Sequence, residues 1–329
     1  MEENTTDSTH SATMWENHEY RFQQLEWILC EGFNVLEVVF ITWITLSLLV
    51  HGNKTGKWRK EKQSTDTRFN SGTVYSLAIT ATLGSLSRAI TNQVAFNLGY
   101  ADETPLPCEV AVDFAIGCYA VTLISTYVFL WHRQRSLYQH PKMEMLRKSW
   151  LEVLSYVTLF LIVIGGLFAS LAMIIPDGAI NSRYGCMRVP SDSAFFVWPF
   201  YVIITLVMIS QAALLFLLLY PLFLHVTATN AERVMLIIKR SAVFAGVCVL
   251  SDTVAMIVVV FVVPADSVIH VALTVYDINM VVNVASVFFS FESWRTIILS
   301  PCRSCDRKQK TAFPRQFSNA SLPIRMNTI

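Results

Sequence analysis

LEVLSYVTLFLIVIGGLFASLAMII, residues 151–175, carries one charged side chain, Glu152, in 25 positions. A helix needs about 20 predominantly apolar residues to cross the hydrocarbon core of a bilayer, and this stretch exceeds that. FFVWPFYVIITLVMISQAALLFLLLY, residues 195–220, has no charge at all. Working outward from these two, further apolar stretches fall at 27–50, 73–98, 108–131, 236–262 and 267–291. The 73–98 stretch is the weakest, because it is rich in Ser, Thr and Asn and contains Arg88. The expected fold is an all-α membrane protein, a seven-transmembrane helix bundle. Composition agrees: 53% of residues are hydrophobic and 15% charged, whereas soluble domains average roughly 45–50% and about 25%. A net charge of +1 gives no bulk basicity for a nucleic-acid partner.

The loop charges orient the bundle. Lys and Arg collect on the cytoplasmic side of membrane proteins. Here 21 of the 25 basic residues fall after the first, third, fifth and seventh spans, and three fall on the other side. The N-terminus is therefore expected outside and the C-terminus in the cytosol, with the plasma membrane as the location. Residues 1–26 read as an extracellular tail, 27–298 as the membrane domain, and 299–329 as a polar, disordered cytoplasmic tail. Asn4, in Asn4-Thr5-Thr6, is a glycosylation acceptor on the outer side.

Cysteine placement adds a constraint. Cys108 lies at the outer mouth of the third span and Cys186 in the longest outer loop. In an oxidising compartment a bridge between them persists and contributes ~2–4 kcal/mol. Cys30, just inside the first span, is the alternative partner.

Seven spans, an outside N-terminus and this cysteine pair resemble the rhodopsin-like G-protein-coupled receptors. In that family an Asp-Arg-Tyr triplet closes the third helix, its arginine 25 residues after the cysteine. Arg133 holds that place, flanked by His132 and Gln134. The seventh span reads NVASVFFSFESWRTII from residue 283, where the family has Asn-Pro-x-x-Tyr and then Phe-Arg. Asn283 matches, with Asn279 one turn earlier on the same face; Val284 and Val287 replace the proline and tyrosine. Trp294-Arg295 matches Phe-Arg and implies a short amphipathic eighth helix. On it Trp294, Ile297 and Ile298 should lie on lipid and Arg295 should face phosphates. Cys302 and Cys305 follow as palmitoylation candidates. Ala81 stands where the family has an aspartate, and Val249 and Ser251 stand where it has Trp and Pro. The chain looks like a divergent member, or one of a neighbouring branch such as the cyclic-AMP-receptor-like group. The resemblance implies an extracellular ligand and a heterotrimeric G protein as partners. The G protein would meet Arg133, Arg135, Lys239 and Arg240, and Asn279 and Asn283 would serve as a switch.

Charged residues inside a span are costly and mark function. Arg88, Asp252 and Asp277 are such residues, and Arg88 with Asp277 is the expected ion pair, with Asp252 nearby. With Asp113 they are the expected pocket lining. Five acids in or near the outer half, Glu31, Glu37, Asp113, Asp252 and Asp277, face Arg88 alone. That imbalance favours a cationic ligand. No lysine lies in 267–291 to carry retinal. The histidines are too scattered for a membrane zinc hydrolase, so no metal, cofactor or catalytic residue is expected. A transporter or channel is the competing class, but no internal repeat is visible; a non-signalling seven-helix membrane protein is the other alternative.

Overall fold

The computed structural model describes residues 6–55, 71–98, 106–138, 148–174, 178–182, 185–189, 197–225, 232–259, 269–291 and 293–301. Seven long helices follow one another among them: α1 (Thr6–Thr55), α2 (Ser71–Leu98), α3 (Leu106–Tyr138), α4 (Ser149–Ile174), α5 (Val197–His225), α6 (Glu232–Ile257) and α7 (Ile269–Ser290), with a short α8 (Trp294–Ile298) after them. Each helix packs on the next, and α7 closes the ring on α1. α3 runs through the middle and touches α2, α4, α5, α6 and α7. α1 starts at Thr6, well before the apolar stretch. No Gly or Pro interrupts residues 6–31, so nothing in the sequence breaks the helix there.

The molecule is an α-helical, multi-pass membrane protein. Among the described residues, α1, α3, α4, α6 and α7 each contain a segment long and apolar enough to cross a bilayer, and α5 contributes a shorter apolar segment, Thr205–Tyr220. The surface is the reverse of a soluble protein's. Leu36, Phe160, Val243 and Leu250 are all more than 60% exposed, while Ser85, Thr122, Thr126 and Asn283 are fully buried. Apolar side chains can face lipid without cost, and polar ones serve as contacts between helices. α2 shows this inversion. Tyr75, Ala78, Thr82, Ser85, Ala89 and Asn92 form its buried face, and Leu83, Ile90 and Val94 point outward. α2 and α3 come very close, because a Cβ on Gly84 would stand 2.6 Å from Thr122 Oγ1.

One feature departs from a purely helical chain. Between α4 and α5, strands β1 (Gly178–Ser182) and β2 (Gly185–Val189) pair antiparallel, from Gly178 with Val189 to Ser182 with Gly185. The hairpin packs on α3 and α2. Its five-residue strands are too short for an alternation pattern to announce them.

At the opposite end, α7 stops at Ser290 and the chain turns at Phe291, whose carbonyl accepts from Trp294 N–H at 3.3 Å. α8 then folds back on α1. Ser300 Oγ donates to Ser47 O at 3.1 Å, and Lys54 Nζ donates to Ser300 O at 2.7 Å. Ile297 is fully buried with Ile41, Ile44, Leu48 and Phe288. The lipid-facing position expected for Ile297 is therefore wrong. In so short a helix the inward face needs one apolar anchor, and α1 supplies the socket. Arg295 is exposed.

Candidate functional site

Two buried polar clusters lie inside the bundle. The first joins α2 to α7. Arg88 Nε donates to Asp277 Oδ1 at 2.7 Å, with both side chains about 3% exposed. The expected pair is thus present. Asn92, one turn beyond Arg88 on the same face, donates to Asp277 Oδ1 at 3.0 Å and Oδ2 at 2.9 Å. Arg88 Nη1 reaches Ala115 O at 3.4 Å, and the guanidinium lies 4.8 Å from the centroid of the Tyr119 ring. Glu37 of α1 is an electrostatic neighbour of this pair. It is 3% exposed, and neither of its carboxylate oxygens has a hydrogen-bond partner.

The second cluster is built on Asp252 of α6, which draws donors from three other helices. Tyr127 OH of α3 and Gln211 Nε2 of α5 both donate to Oδ2, the latter at 2.8 Å, and Asn283 Nδ2 of α7 donates to Oδ1 at 2.8 Å. One turn earlier on α7, Asn279 Oδ1 accepts from Ser251 Oγ at 2.7 Å, and its amide donates to Tyr119 OH at 3.3 Å. Asn279 and Asn283 therefore grip consecutive residues of α6. Tyr119 links the clusters, with Arg88 against its ring and Asn279 on its hydroxyl.

A cavity of about 100 Å³ opens beside the second cluster, among α3, α4, α5, α6 and α7. Tyr119, Gln211, Asp252, Tyr276 and Asn279 supply its polar and aromatic lining, and Val207, Met208 and Met256 much of the rest. Tyr119 and Tyr276 meet edge to face, 5.4 Å apart. Asp252 lines this cavity, but Arg88, Asp113 and Asp277 do not. Arg88 and Asp277 are turned toward each other beside α1 and α2, because a buried arginine in an apolar medium is held by its counter-ion. Asp113 is partly exposed near the start of α3.

The α8 end holds the remaining candidates. Arg133 Nη1 donates to Ser290 O at 3.0 Å, and Arg240 donates to Phe289 O. Both cations thus sit on the last carbonyls of α7, where the helix dipole favours positive charge. Arg135 stands 4.7 Å from the Tyr156 ring centroid and 5.5 Å from that of Trp131. Lys239 is exposed. Gln134, in the place of the family's tyrosine, is buried and accepts from Ser155 Oγ of α4 at 3.1 Å. Tyr138 OH donates to Leu217 O at 2.8 Å, and burial pushes this phenol up from its ordinary range. Phe291 packs its ring against Tyr75 and Phe129 below the turn.

At the hairpin end, Cys108 is disulfide-bonded and buried. Cys30, Cys118 and Cys248 form no disulfide, which removes Cys30 as the alternative partner. Cys186 sits in β2, and its side chain lies outside the described residues, as do Asn4, Cys302 and Cys305. Among the described residues no group of His, Cys, Asp and Glu could hold a metal ion. Tyr119, Tyr127, Gln211 and Asn92 were not singled out in the sequence. Gln211 had a usable signal as the sole amide side chain in residues 195–220.

No protein-family model matches the chain, and no curated protein matches it in sequence. The likeness to rhodopsin-like receptors rests on the residues described above.

Proposed function

We propose that the chain is a G-protein-coupled receptor of the plasma membrane, with seven spans and its N-terminus outside. The basic residues massed at the α8 end support this orientation. The hairpin then covers the outer mouth, Cys186 bridges to Cys108, and Asn4 carries the glycan. Cys302 and Cys305 follow α8 on the cytosolic side, placed for palmitoylation.

The observation that carries the reading is the double attachment of α6 to α7. Asp252, on the cavity wall, bonds Asn283, and Arg240, further along α6 toward the cytosol, bonds Phe289. Arg133 of α3 holds the next carbonyl, Ser290 O. A ligand that alters the bonds at Asp252 changes how α6 rests on α7, and the same helix carries the Arg240 contact toward its cytosolic end. Release of the Arg240 latch from α7 frees the inner end of α6, and release of Arg133 frees that cation for a G protein. A ligand shifts this equilibrium only by its differential affinity for the two states.

A G-protein dissociation assay in cells tests the reading without a known ligand. Arg240→Ala should raise basal signalling severalfold over wild type, and Arg133→Ala should abolish it at equal surface expression. If Arg240→Ala reaches the surface and gives no signal with any G-protein class, the reading fails.

A further inference from the structure

We infer that the cavity beside Asp252 takes a small protonated amine with an apolar body, its ammonium group set between the Asp252 carboxylate and the Gln211 side-chain oxygen. This rests on the reading of that cavity as the ligand site.

Charge balance is the first ground. Asp252 is 4% exposed, and its partners, Tyr127, Gln211 and Asn283, are all neutral donors. Arg88, the cation inside the bundle, is committed to Asp277. Among the described residues no Lys, Arg or His bonds to Asp252. A buried carboxylate without a counter-charge gains most from a cation that fits beside it.

Unused hydrogen-bonding capacity is the second ground. Gln211 is 3% exposed, and its Oε1 has no partner. The amide cannot turn to relieve this. Its Nε2 is fixed on Asp252 Oδ2 at 2.8 Å, and a flip would set oxygen against carboxylate. The site thus offers an unused buried acceptor beside the carboxylate. An ammonium group has three donors and no acceptor, whereas a hydroxyl supplies one donor and leaves the charge unmatched.

Shape is the third. Away from Asp252, Gln211, Asn279 and Ser170 the wall is apolar and aromatic, with Leu123, Val207, Met208 and Met256. The Tyr119 and Tyr276 rings flank the polar corner, and aromatic faces attract cations. Methionine side chains adjust to irregular ligand bodies. A few polar groups in a mostly apolar pocket is the usual design of a small-molecule site.

The test uses the purified full chain in lipid nanodiscs and two probes of nearly equal shape, 2-phenylethylamine and 2-phenylethanol, with binding read by calorimetry at neutral pH. Wild type should bind the amine at least tenfold more tightly than the alcohol. Asp252→Asn should erase that preference, Gln211→Leu should reduce it, and Ala255→Phe, which fills the cavity, should abolish binding of both. The wild-type comparison needs no variant to fold. If the alcohol binds as well as the amine and Ala255→Phe removes it, the cationic inference is overturned while the cavity reading stands. If amine binding survives Ala255→Phe unchanged, the amine sits elsewhere and the inference is overturned. If neither probe binds, both the inference and the cavity reading are overturned.

Discussion

Glu37 and Asp277 are two carboxylates of one neighbourhood with opposite circumstances. Asp277 accepts from Arg88 and twice from Asn92, and Glu37 has no partner on either oxygen. Removing one partner of a buried pair leaves the other charge stranded and costs ~3–5 kcal/mol. Removing an unpartnered carboxylate strands nothing. Glu37→Gln is therefore expected to keep or raise the melting temperature in nanodiscs, and Arg88→Gln to lower it or prevent surface expression. The exchange Arg88→Asp with Asp277→Arg should recover part of the expression lost by either change alone. A fall in stability for Glu37→Gln as large as for Arg88→Gln would contradict this division of roles. The Arg88–Asp277 pair was legible in the sequence, since an arginine inside a span demands an acid inside another. That Tyr127, Gln211 and Asn283 meet on Asp252 was not legible, because which side chains converge depends on the rotation of four helices.

Among the elements, α2 was the hardest to read. Its Ser, Thr, Asn and Arg residues lower its apolar character, yet Thr82, Ser85, Arg88 and Asn92 are buried in the bundle rather than exposed. A hydropathy reading counts every side chain equally and so undervalues a helix whose polar face is turned inward. The tightest point is Gly84, where a methyl group would meet Thr122 Oγ1 at 2.6 Å and Cys118 O at 3.4 Å. The Thr122 hydroxyl is held by its own bond to Cys118 O at 2.9 Å, so it does not swing aside freely. Overpacking of this kind costs ~1–3 kcal/mol. Gly84→Ala should lower the melting temperature by several degrees, and Thr122→Ala added to it should restore most of the loss. Full stability of Gly84→Ala alone would mean that α2 and α3 stand further apart than described. α8 was legible as an element from Trp294-Arg295, but its inward anchor Ile297 was not, because five residues carry too little periodicity to tell a lipid face from a protein face.

At the scale of the whole molecule, apolar stretches and basic loops sufficed for a helical bundle in a membrane. They did not reveal the closure of the ring by α7 on α1 or the passage of α3 through its centre, which follow from packing. That closure brings Asn279 and Asn283 against Ser251 and Asp252, and Phe289 and Ser290 against Arg240 and Arg133. The central claim is that the cavity and the α8 end are coupled through these contacts to a G protein. Nucleotide exchange on purified heterotrimeric G protein, mixed with the purified chain in nanodiscs, tests it most directly. The account expects wild type to accelerate exchange on at least one G-protein class, Arg240→Ala to accelerate it further, and Arg133→Ala to bring it to the rate without receptor. Exchange at the receptor-free rate for all three proteins, across every G-protein class, would contradict it.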